Sequence, residues 1–244
     1  MLALVYNRNM ATYDRSEVIT SGSRDEAVVA DFLRGVYGWM CGGLAITAAT
    51  AWIVGNSPSI QTAIFTNRLL FWAIIIAQFG IVITLSARVN KLAASTASAL
   101  FIAYSALTGV TLSFVLLLYT GESIASTFVI CAGMFGALAL YGTTTKRNLS
   151  GFGQFMFMGL IGLVIASLVG LFWQNDGLQF MISFIGVIVF AGLTVWDAQR
   201  LKGLAFATNT GGTSSVTIVG ALALYLDFIN LFLFLLRFLG GRRR

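Results

Sequence analysis

The sequence predicts an all-α polytopic membrane protein, a bundle of seven transmembrane helices, and two observations carry that prediction. Of the 244 residues, 58% are hydrophobic and only 10% are charged, and the mean hydropathy is +0.88. A soluble domain has no interior large enough to hide so much apolar surface, so most of it must face lipid. The apolar residues also fall into seven runs of roughly 20 residues, each about 30 Å long as a helix. Nothing is left over for a separate soluble domain.

Residues 1–31 form a polar N-terminal tail of mixed charge, with no apolar core of the kind a cleavable signal needs. The membrane domain, residues 32–239, opens with a span at 32–54, in which Gly38 and Gly42 stand four apart, a spacing that lets two helices approach closely. GNSPSIQ holds the sole proline, Pro58, and reads as a turn. Spans two to four are expected at 69–87, 96–119 and 126–144, separated by a link with Arg88 and Lys91 and by the turn TGES. After TTTKRNLS come span five at 151–174, with Gly162, Ala166 and Gly170 along one face, and span six at 180–201. The polar loop KGLAFATNTGGTSS leads to span seven at 216–239 and to a basic tail, residues 240–244.

Lys and Arg set the orientation, because cytoplasmic loops carry the excess. Ten of the fifteen fall on the side of the N-terminus and five on the other, so the N-terminus is expected to be cytoplasmic. The C-terminal Arg242, Arg243 and Arg244 run against this: either they sit on the far side, or the seventh segment is re-entrant. Trp52, Trp72 and Trp173 cluster near the expected outer interface, with Trp39 and Trp196 nearer the inner one. A pI near 9.7 reflects residues that flank the apolar runs, so nucleic acid is not an expected partner.

Several chemistries are excluded by composition. There is no histidine, which removes imidazole metal sites, Ser-His and Cys-His nucleophiles and the usual neutral-pH switch. Cys41 and Cys131 both lie in apolar runs and make no disulfide framework. Lys91, Lys146 and Lys202 all lie in links, so no intramembrane amine is present for a retinal Schiff base. No cofactor is expected.

Seven of the nine acidic residues are in the tail or in links; only Asp197 and Asp227 fall within spans. A carboxylate at the centre of a membrane helix costs about 2.5–3.5 kcal/mol even on permissive scales, so something must compensate it. Asp227, in ALALYLDFIN, has no charge nearer in sequence than Arg237. Asp197 has an ordinary alternative, a local pair with Arg200 three residues on. With these boundaries Asp197 lies about 6 Å from the inner end of its helix and Asp227 about 17 Å from the start of its own, a mismatch of about two turns. If the two carboxyls do meet, both cannot ionise cheaply in a low dielectric, and they share a proton that belongs to the pair. With Asn230 or backbone carbonyls they would also offer a weak, transient oxygen site for calcium.

The strings ALYLDFINLFLFLLRFLG, GVIVFAGLTVWDAQRLK, TTKRNLSGFG and YSALTG resemble the Bax inhibitor family, also called the transmembrane Bax inhibitor motif family, in its bacterial branch. The similarity runs over roughly residues 36–240. The resemblance implies a multi-pass protein of the bacterial inner membrane whose last helix is central, enclosed by the other six. It implies a pH-sensitive calcium leak with Asp197 and Asp227 as the sensor, and Arg88 as the candidate latch on Asp197, with Arg200 as the other charge partner. It also raises a second function, modulation of a membrane protease or stress-response complex through protein–protein contacts. Paired aspartates on adjacent helices suit an intramembrane aspartyl protease too, but the GxGD sequence such enzymes carry is replaced here by YLD, and an enzyme is not expected.

Overall fold

The computed structural model describes residues 2–89, 91–173, 175–208 and 214–241, with the backbone alone described for 2–25, 171, 207 and 208. The described residues form eight helices: α1 (Leu2–Gly55), α2 (Pro58–Thr66), α3 (Arg68–Ala87), α4 (Ala94–Leu118), α5 (Gly121–Thr144), α6 (Ser150–Phe172), α7 (Asp176–Thr208) and α8 (Ser215–Leu239). Seven of them are long and apolar enough to cross a membrane. The exception is α2, nine residues with none buried, where the sequence reads as a turn. Proline suits its first position, since it supplies a helical φ and has no N–H to leave unpaired. Asn67 then restarts the chain: its side chain accepts from the N–H groups of Leu69 and Leu70 and caps α3.

The boundaries depart from the sequence reading in two places that matter. At the N-terminus, the backbone of α1 is continuous through the polar segment expected as a tail, and Val29, Phe32 and Val36 are all buried in the core. Near the C-terminus, α7 does not stop at Leu201 but runs on to Thr208.

Close helix contacts rest on small residues, only some of them the expected ones: a Cβ at Gly170 of α6 would lie 3.1 Å from Gln179 Nε2 of α7. A Cβ on Gly38, Gly42 or Gly162 would meet nothing within 4 Å. Gly43 is the residue that matters on α1, where a Cβ would lie 2.6 Å from the Phe101 ring. On the facing helix a Cβ at Gly109 would lie 2.6 Å from the carbonyl oxygen of Thr47. These two glycines let α1 and α4 run side by side in the same direction, Gly43 beside Phe101 and Gly55 beside Leu116. Gly142 does the same for α5 against the Val195 carbonyl and Ala198 of α7.

The last helix is central. α8 packs against α1, α4, α5 and α7, and its sequence sends a different side chain to each neighbour. Tyr225 is fully buried between α1 and α4, its hydroxyl 2.6 Å from Thr47 Oγ1 and its ring edge-on to Phe101 and Tyr104. Thr47 in turn donates to the carbonyl of Gly43 or of Ser105, both within 2.9 Å. Phe228 points to α5, edge-on to Phe128 and Phe135. By contrast α6 packs on α7, and no substantial contact joins it to α8, which leaves a seam along the bundle.

α8 is one unbroken helix, not a re-entrant loop, and its ends are tied to opposite ends of α4. Ser215 Oγ donates to the Val89 carbonyl before α4 begins. After α4 ends, the Gly241 N–H donates to Ser123 Oγ and the Thr120 N–H to the Gly241 carbonyl. The C-terminal Arg242–Arg244 lie outside the described residues. Trp52, Trp72 and Trp173 are exposed at helix ends on the side where α8 finishes. Trp39 and Trp196 are packing residues instead, the first edge-on to Phe101 and the second beneath Arg200.

A candidate site: two carboxyls between two cavities

The extension of α7 to Thr208 brings the aspartates level. Asp197 lies eleven residues before the end of α7 and Asp227 twelve residues after the start of α8, depths of about 16 and 18 Å along adjacent arms. The two-turn mismatch expected from the shorter span is gone, and the two carboxyls lie within hydrogen-bonding range of each other.

Their surroundings are unequal. Asp227 is 5% exposed, and its Oδ2 has no hydrogen-bond partner among the described residues. A bare carboxylate oxygen without a donor is costly in an apolar core; a proton held by the pair relieves that cost. Asp197 has a side chain 13% exposed and a guanidinium beside it, with Arg200 Nη1 3.8 Å from Oδ1. Arg200 is itself held over the Trp196 ring, 5.4 Å from its centroid. The local i,i+3 pair and the contact between aspartates therefore coexist. Arg88 is exposed at the end of α3, and among the described residues the ion pair of Asp197 goes to Arg200 and not to Arg88.

The residues around Asp197 fix this part of α7. Ala198 is buried against α5. Gln199 uses both ends of its amide on the α5–α6 link, accepting from the Leu149 N–H at 2.9 Å and donating to the Arg147 carbonyl at 2.7 Å. Leu201 packs where Gly220 of α8 has no side chain. Lys202 Nζ donates to the Thr143 carbonyl at 2.8 Å and so satisfies a backbone acceptor at the end of α5. Gln199 and Lys202 escaped the sequence reading, although the conjunction of WDAQRLK with TTKRNLSGFG was its signal: each string holds the other.

Two cavities flank the pair. The larger, about 840 Å³, follows the seam between α6 and α8 and is lined by both aspartates, Arg200 and Asn230. At its far end Arg237 donates to Gln179 Oε1 at 3.3 Å. The smaller, about 440 Å³, opens toward the α3–α4 link at Ser86 and Val89 and reaches Asp197 and Arg200 from the other side. Asn230 faces the larger cavity while its Nδ2 donates back to the Leu226 carbonyl. Among the described residues no three His, Cys, Asp or Glu side chains cluster as a metal site. Two carboxyls and one amide are hard oxygen donors suited to a transient calcium ion, and too few to retain one.

Comparison with known proteins agrees with this architecture. A family model described as "Inhibitor of apoptosis-promoting Bax1" matches residues 29–244. The chain is 50% identical over 237 residues to "Inner membrane protein YbhL" of Escherichia coli strain K12, covering 96% of this chain and all of that protein. It is 44% identical to an uncharacterized protein of Borreliella burgdorferi over 92% of this chain and 98% of the other. It is 40% identical to uncharacterized protein RP147 of Rickettsia prowazekii over 98% of each.

Proposed function

The chain belongs to the Bax inhibitor family, and from that premise we propose that this multi-pass membrane protein is a pH-sensitive calcium leak of the bacterial inner membrane, gated by proton exchange at Asp197 and Asp227. The observation that carries the reading is the meeting of two carboxyls deep in the bundle, with a cavity on either side. In a protein without histidine this pair is a titratable unit able to change charge inside the membrane. Losing its proton does two things at once. It creates adjacent anions that repel across the α7–α8 contact, and it raises the attraction for a divalent cation. Calcium and protons therefore compete for the same oxygens, and calcium binds the pair more tightly as pH rises. On this reading the N-terminus is cytoplasmic, as the excess of Lys and Arg on that side requires. The protein forms a pathway and is not an enzyme.

The test is calcium flux. Purified protein is reconstituted in liposomes loaded with a calcium dye, and the leak is followed from mildly acidic to mildly alkaline pH. The wild type is expected to show a pH-dependent leak and Asp227→Asn a leak that no longer responds to pH. No leak from the wild type, or an Asp227→Asn profile identical to it, would sink the proposal.

A further inference from the structure

The two cavities are lined from end to end by one stripe of α8. Val216, Val219, Ala223 and Leu226 face the smaller cavity, and Ala223, Leu226, Asn230 and Leu233 face the larger. The spacing of three and four residues keeps all of them on one side of the helix. Each is half-buried, whereas the rest of α8 from Thr217 to Leu236 is almost wholly buried. Only a short segment is common to both cavities: Ala223 and Leu226 on α8, Asp197 and Arg200 on α7. Asp227 lies behind this segment and faces the larger cavity.

We infer that Leu226, with the smaller Ala223 one turn before it, is a hydrophobic seal that divides a continuous path along α8 into two water-accessible halves. The inference rests on the leak reading for its purpose but on the shared lining for its place. An apolar constriction stops ions without blocking the pathway completely, because an ion there must shed hydration that leucine and alanine cannot replace. Across from the seal stand Asp197 and Arg200, the only charged groups among the described residues that line both cavities, so a change of charge on the aspartate pair acts beside it. A displacement of α7 from α8 would draw the Asp197 side away from Leu226 and let water join the halves.

The test separates the seal from the leak. In full-length protein with Cys41→Ala and Cys131→Ala, single cysteines are placed at Val219 or Leu233. They are labelled in sealed vesicles with a membrane-impermeant maleimide supplied from one face at a time. Val219→Cys is expected to react from the face bearing the α7–α8 connection alone, and Leu233→Cys from the face bearing the C-terminus alone. Reaction of both from one face, or of neither, overturns the seal. In liposomes Leu226→Ala is expected to raise calcium leak about tenfold at the pH where the parent leaks least. An unchanged leak from folded Leu226→Ala, beside a parent that does leak, also overturns it. A parent that never leaks defeats the gating proposal, and the labelling pattern then still decides whether Leu226 divides the path.

Discussion

Asp197 and Asp227 divide the work of a proton-exchanging pair. Asp227 is 5% exposed and meets the larger cavity alone, whereas Asp197 meets both cavities and the Arg200 guanidinium. Arg200 is two-thirds exposed, and its ion pair contributes within about 1 kcal/mol to stability. Its electrical effect is larger in consequence, because a cation beside the pair favours the anionic form. Arg200→Gln should therefore fold normally and move the pH response of the calcium leak toward alkaline values; a response that stays put, or moves toward acid, contradicts the role of Arg200. At this scale Asp227 was legible in the sequence because a carboxylate in an apolar run is anomalous by composition alone. Tyr225 and Thr47 were not, since a tyrosine and a threonine in a membrane helix carry no sign of the partner they will meet. Their hydrogen bond across α1 and α8 fixes the rotation of α8 that turns Asp227 toward α7.

At the scale of elements, the spans could be read to within a few residues because an apolar run of bilayer length has one explanation. Two features could not. The segment after Leu201, KGLAFAT, carries a lysine and a glycine and reads as loop, yet it continues α7 and sets the level of Asp197. Which glycines make helix contacts was hidden for a different reason: a helix apolar on every side has no polar face to mark the outside. Gly38 and Gly42 face open space and Gly43 faces α4, although nothing in their neighbours distinguishes them. The contact at Gly109 gives a direct check. Its Cβ would lie 2.6 Å from a backbone oxygen that cannot rotate away, so Gly109→Ala must part α1 from α4. It should cost about 1–3 kcal/mol in a denaturation assay, whereas Gly42→Ala should be close to neutral. Equal effects of the two would contradict the packing.

For the whole molecule, seven helices among the described residues are long and apolar enough to cross a membrane; seven crossings would put the two termini on opposite faces, which is where the basic tail and the orientation rule conflict. α8 is continuous and finishes beside the α4–α5 turn, at the opposite end of the bundle from its start. Reporter fusions at the two ends should therefore report opposite compartments; the same compartment for both would require an even number of crossings. The ties at both ends of α8 carry a mechanical consequence. α4 and α8 are each 25 residues long, run in the same direction, and are joined at Val89–Ser215 and at Thr120–Gly241. α4 is thus a splint along α8, and α8 cannot move as a piston through the bilayer without breaking its fastening at one end or the other. Any stroke that parts the carboxyls must then come from α7, which would lever about Gln199 and Lys202 and drag the α5–α6 link with it.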